Sequence, residues 1–102
     1  MNLNLRPLTL AEVAERADCE RTFGYELADW LHTVRGTHNR PKLIESIREE
    51  PTLLRNRFPE GANADAWLAA YADYTADRIG AAPPSWTNAP DRIAPDPWFN
   101  VK

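Results

Sequence analysis

The chain has 102 residues and a formal net charge of −3, with 43% hydrophobic and 26% charged residues. That length suits one modest core and is too short for two, and the apolar share argues against a fully disordered chain. No apolar run approaches the ~20 residues of a membrane span, so no membrane association is expected.

The opening MNLNLRPLTL has no basic start followed by an apolar stretch, so no signal peptide is expected and the default compartment is a bacterial-type cytoplasm. The single cysteine, Cys19, excludes an internal disulfide framework and a cysteine-based zinc site built by this chain alone.

In chain order, Thr9 and Glu12 stand at capping-box spacing and predict a short helix from Leu10 to Ala17, with Leu10, Val13 and Ala14 inward. A longer helix is predicted from about Cys19 to Arg35. Its Phe23, Leu27, Trp30, Leu31 and Val34 form one continuous stripe, and Gly36 is a natural stop. Asn39-Arg40-Pro41 restarts the chain, with Pro41 suited to a first helical turn and Leu43, Ile44 and Ile47 on its apolar face.

Pro51 interrupts that pattern, Thr52 to Arg57 offer one further turn, and Phe58-Pro59-Glu60-Gly61 is a clear break. A last long helix follows, capped by Asn63 or Asp65, with Trp67, Leu68, Tyr71, Ala72, Thr75 and Ile79 on a shared face. Gly80 closes it. The predicted core therefore draws on Leu27, Trp30, Leu31, Val34, Leu43, Ile44, Ile47, Trp67, Leu68, Tyr71 and Ile79.

From Ala81 onward the prolines forbid long regular structure, although Asp91 to Ala94 can make a helical turn. Pro83, Pro84, Pro90, Pro95 and Pro97 flank Trp86 and Trp98 there, which makes this the least ordinary stretch of the chain. The expected architecture is all-α: a four- or five-helix bundle over residues 1–80, with an extended Pro/Trp-rich tail over 81–102. The aromatic residues are costly to leave in water. The tail is thus expected to lie across the bundle or to grip another chain.

Charge is segmented. Residues 1–34 carry three basic against six acidic groups, residues 35–58 six against three, and residues 59–102 three against six. The basic middle holds Arg35, Arg40, Lys42, Arg48, Arg55 and Arg57. A nucleic-acid surface usually has a denser patch, so nucleic-acid binding stays open only as an alternative, that of a DNA-binding regulator of its own operon. The fragment LTLAEVAERA looks like the first helix of a helix-turn-helix, but no glycine turn and polar recognition helix follow it.

Catalytic chemistry finds no footing. His32 and His38 lack metal-ligand spacing, and Cys19 sits between Asp18 and Glu20, which oppose a thiolate. The pairs Glu45/Glu49 and Asp73/Asp77 read as solvated helix faces rather than di-metal carboxylates, since no Glu-x-x-His accompanies them. No enzyme activity, cofactor or metal is expected.

The segment WLAAYADYTADRIGAAPPSWTNAPDRIAPDPWF resembles the C-terminal part of a group of small bacterial helical proteins, through Trp67, Tyr71, Gly80, Pro84, Trp86, Pro97, Trp98 and Phe99. Those proteins have a helix, a PxW element and a terminal PWF, and sit in toxin–antitoxin-like operons. FGYELADWLHTV and RPKLIESIREEP are compatible with the same group. The helix-turn-helix of some members is missing here.

The resemblance implies an antitoxin-like protein that binds and neutralises a partner toxin enzyme. Trp86, Ile93, Trp98 and Phe99 from the tail, with Arg40 and Lys42 from the basic middle, are the expected contact residues. The tail is expected to meet that partner or a second copy of the chain.

Overall fold

The computed structural model describes residues 6–93. Four α-helices lie among them: α1 (Leu10–Arg16), α2 (Glu20–Arg35), α3 (Arg40–Arg48) and α4 (Gly61–Arg78). Two 3-10 turns follow, Ser85–Asn88 and Pro90–Arg92, and no strand occurs among the described residues. None of the helices is long and apolar enough to cross a membrane.

Local chemistry sets the helix ends. The Thr9 hydroxyl accepts the Glu12 amide at 3.0 Å, and the Glu12 carboxylate reaches back to the amides of Leu8 and Thr9 at 2.6 and 3.3 Å. The spacing-based capping box is therefore present. At the start of α2, the Thr22 hydroxyl accepts the amides of Asp18 and Cys19 at 2.9 and 3.0 Å. Asn39 caps α3 by accepting the Lys42 amide at 3.0 Å, with Pro41 in the first turn.

Helix α4 starts earlier than its polar residues suggested. It begins at Gly61, with Glu60 rather than Asn63 or Asp65 in the cap position. A β-carbon at Gly61 would stand 1.7 Å from the carbonyl oxygen of Leu54, so the absence of a side chain lets the helix press onto the preceding loop.

At its other end Gly80 takes φ 68°. The Gly80 amide donates to Asp77 at 3.2 Å and the Ala81 amide to Ala76 at 2.9 Å. This is the paired closure that a left-handed residue after a helix allows.

α4 is the hub, in contact with α2, α3 and both 3-10 turns, while α1 packs on α2 and α3. Small side chains permit this: Ala64, Ala69, Ala72 and Ala76 are buried along α4 beside Leu68. The core joins them to Leu10, Val13, Trp30, Ile47, Leu54, Phe58 and Trp86, with Leu27, Leu31, Leu43 and Tyr71 packed against it. Ile44 and Ile79 are only half-buried. Trp67, expected inside, is 40% exposed.

The segment after α4 does not run free, at least to Ile93. Trp86 is buried, and its indole N–H donates to the Ile47 carbonyl at 3.1 Å. The Arg92 guanidinium lies 5.0 Å from the centre of the Trp86 ring and donates to the Pro51 carbonyl. Residues 84–92 thus complete the core of the helices instead of forming a separate unit beside them.

Candidate functional site

Three side-chain systems deserve the question of function: the basic middle segment, the buried cluster under the tail, and an open groove where α2 and α4 begin. The basic segment is mostly spent inside the chain. Arg40 donates to the carbonyls of Ile79 and Gly80 at 3.0 and 3.4 Å, closing the C-terminus of α4. Arg57 does the same for α1, donating to Ala14 and Ala17 at 2.8 Å each. Cations at helix C-termini meet both unpaired carbonyls and the negative end of the helix dipole. Arg48 pairs with Glu45 at 2.7 Å on the surface of α3, and Arg55 faces inward to Asp65 at 3.3 Å.

The cluster under the tail centres on Asp65, which is completely buried. Its carboxylate accepts the Leu54 amide at 2.7 Å and meets Arg55 at 3.3 Å and Arg92 at 3.5 Å. Arg92 also lies 3.5 Å from Glu50, and Arg55 lies 3.5 Å from Asp91 and donates to the Asp91 carbonyl. Burial pushes the Asp65 carboxyl above the ordinary aspartate range, against the pull of the Leu54 amide, Arg55 and Arg92. This cluster ties α4, the loop before it and the second 3-10 turn together.

The sequence offers Asp65 as a candidate cap of the last helix. The structure corrects that. An aspartate four residues inside a helix start, with arginines before and after it in the chain, gave no local sign of burial.

The groove is of another kind. It is a cavity of about 460 Å³ lined by Glu20, Phe23, Phe58, Glu60, Asn63, Ala64 and Trp67. Phe23 and Phe58 are buried to 8% exposure and form apolar floor, while Trp67 stands at the edge. Trp67 stacks on Tyr71 at 6.0 Å and 29°, and Tyr71 meets Trp30 edge-on at 6.3 Å and 75°. An aromatic series therefore runs from the groove into the core.

Two carboxylates mark the rim. Glu20 is the first residue of α2 and Glu60 the cap of α4, where the positive helix ends favour a negative charge. Glu60 also accepts a hydrogen bond from the Asn63 side chain at 2.9 Å. Glu20 and Glu60 enter none of the ion pairs among the described residues. Nearby, Cys19 is exposed, and its thiol is drawn below the usual cysteine range by hydrogen bonds from Thr22.

The expected contact residues fall in different places. Trp86 is buried in the chain's own core, so it presents no aromatic face to a partner. Arg40 is engaged at the end of α4. Lys42 is exposed on α3, and Ile93 is 68% exposed. Trp98 and Phe99 lie outside the described residues.

Sequence places Phe23 and Trp67 on apolar stripes and Asn63 at a cap, but does not join them into one groove. Glu60, Asn63, Ala64 and Trp67 recur at helical spacing, as do Glu20 and Phe23. Trp67 shares a stripe with Leu68 and Tyr71, which by itself points to the core, whereas the residue is 40% exposed. No group of three or more histidine, cysteine or acidic residues suited to a metal ion occurs among the described residues. Comparison with protein-family models, curated proteins and solved structures gave no match.

Proposed function

We propose that this chain is a protein-binding module of antitoxin type, which holds a partner toxin enzyme rather than transforming a substrate. The observation that carries the reading is the groove: an aromatic floor of Phe23 and Phe58, the half-open Trp67, and carboxylates at the rim. Protein-recognition surfaces favour aromatic anchors in a concave apolar centre with a polar edge. The sequence resemblance to small antitoxin-like proteins supports the type of partner. Arg48 and Arg55 are paired with carboxylates and Arg40 and Arg57 are tied to helix ends, which favours a protein partner over nucleic acid.

The test is co-expression of the tagged chain with the product of its neighbouring gene. The expected result is a complex that survives size-exclusion chromatography and relief of growth arrest caused by the neighbour alone. A harmless neighbour that elutes separately from the chain overturns the reading.

A further inference from the structure

We infer that residues 82–93 form an exchangeable strap. The surface of the bundle that holds the chain's own strap also accepts that of a second copy, and Gly80 is the hinge. The inference stands apart from the antitoxin-type reading above.

Its first support is where the strap is held. Trp86 is buried, and its indole N–H donates to the Ile47 carbonyl at 3.1 Å. Arg92 donates to the Pro51 carbonyl and lies 3.5 Å from both Asp65 and Glu50, while Arg55 donates to the Asp91 carbonyl. The partners on the bundle thus belong to α3, the loop after it and the first turns of α4.

The strap departs from the opposite end of α4. Asp65 and Ile79 are about 20 Å apart along the helix at a rise of about 1.5 Å per residue. The chain must therefore double back along α4 before Trp86 and Arg92 can dock. It turns at Gly80, whose φ of 68° is the only positive value among the described residues. With a negative φ at this one position, the same strap leads away from its own bundle.

Little else fixes the turn. A β-carbon at Gly80 would meet nothing within 4 Å, and Gly80, Ala82 and Pro83 are exposed. The Arg40 side chain, itself exposed, clasps the carbonyls of Ile79 and Gly80. The amides of Gly80 and Ala81 bond back to Asp77 and Ala76, and a helix running on past Gly80 replaces these bonds with helical ones. Pro83-Pro84 is a stiff spacer, so the strap moves as a unit.

Two copies that exchange straps keep every bond to the bundle named above, in a closed two-fold pair with no docking surface left open. The closed monomer and the exchanged dimer then differ in the backbone at Gly80, the Arg40 clasp and the entropy of association. Concentration and the residue at position 80 set the balance.

The test uses full chains. A residue with a β-carbon disfavours the left-handed turn by about fivefold or more. Two turns open per dimer, so Gly80→Ala should lower the dimer dissociation constant at least about 25-fold against the native chain. Light scattering on size-exclusion fractions over a concentration series measures it. Gly80→Asn, which tolerates the left-handed region, should stay nearer the native chain. In dimers assembled from isotope-labelled and unlabelled chains, filtered NOE spectra should connect the Trp86 indole proton of one chain with Ile47 of the other.

A Gly80→Ala chain no more dimeric than the native one, or no more dimeric than Gly80→Asn, overturns the inference. So does a dimer whose Trp86–Ile47 contact stays within one chain, which is an ordinary surface association. If far-ultraviolet circular dichroism shows Gly80→Ala unfolded, the native chain refolded from urea at high concentration decides. A dimer with the contact between chains supports the inference, and its absence from that sample overturns it.

Discussion

Two residues carry unusual demands. At Gly61 any β-carbon collides with the backbone of Leu54, which cannot withdraw as a flexible side chain would. Gly61→Ala should therefore lose at least about 1–3 kcal/mol, as overpacked sites do, despite the better helix propensity of alanine. Gly24 on α2 is the control, since a β-carbon there meets nothing within 4 Å. Gly24→Ala should be neutral or stabilising by urea denaturation, and equal midpoints for the two variants would contradict the close approach.

Asp65 makes a second demand, with a definite sign. Its carboxyl titrates higher in the folded chain than in the unfolded one, because burial outweighs its partners. Such a group adds stability fully below its unfolded pKa of about 4 and loses that addition as pH rises through the raised value. The stability of the native protein relative to Asp65→Asn should thus be greatest near about pH 4 and shrink toward about pH 7. Urea midpoints of both proteins across that range measure it, and a gap that widens with pH would show the opposite shift.

Among elements, the segment after α4 takes one of the two courses expected of it, lying across the bundle as far as Ile93. Trp86→Ala removes a buried indole and its bond to Ile47, and should cost about 3–5 kcal/mol. A chain cut after Ala81 loses Arg92 as well and leaves Asp65 buried with Arg55 alone, so it should unfold at far lower urea than the full chain. Survival of the bundle with an unmoved midpoint would show that the residues after Ala81 are not needed to hold the four helices together.

The helices themselves were legible because their signals are local: the Thr9/Glu12 box, the Asn39 cap, the α2 stripe and the Gly80 stop all act within a few residues. The arginines were not legible. Arg40 and Arg57 close helices 39 and 43 residues away in sequence, and no periodicity announces such bonds. The groove was half-legible, since the spacing of Glu60, Asn63, Ala64 and Trp67 marks a face but not whether that face is covered. Trp67 shows the difficulty: a tryptophan on an apolar stripe satisfies a core and a rim equally well.

At the scale of the whole molecule, charge and packing make linked claims. With four of the six basic residues of the middle segment bonded internally, no salt-sensitive, sequence-specific shift of its own promoter DNA is expected at physiological salt. A shift that weakens steeply with added salt would point to the regulator alternative.

The bonds that consume those arginines also cross the molecule: Arg57 joins the loop before α4 to α1, Arg40 joins α3 to the end of α4, and Arg92 joins the second 3-10 turn to the loop after α3. No element is held only by its sequence neighbours, and Trp30 and Trp86 share one hydrophobic cluster. Unfolding should therefore be a single cooperative transition, with a free energy in the ordinary range of about 5–15 kcal/mol for a small domain.

Far-ultraviolet ellipticity reports mainly the four helices, whereas tryptophan fluorescence includes Trp86 in the segment beyond them. The two urea curves should superimpose, and the fluorescence curve of a Trp86→Phe variant should still coincide with its own ellipticity curve. If fluorescence changes at lower urea in the native chain and the early phase vanishes in Trp86→Phe, residues 84–92 open before the bundle. The clasp of Asp65, Arg55 and Arg92 would then be a latch of low local stability rather than part of one core.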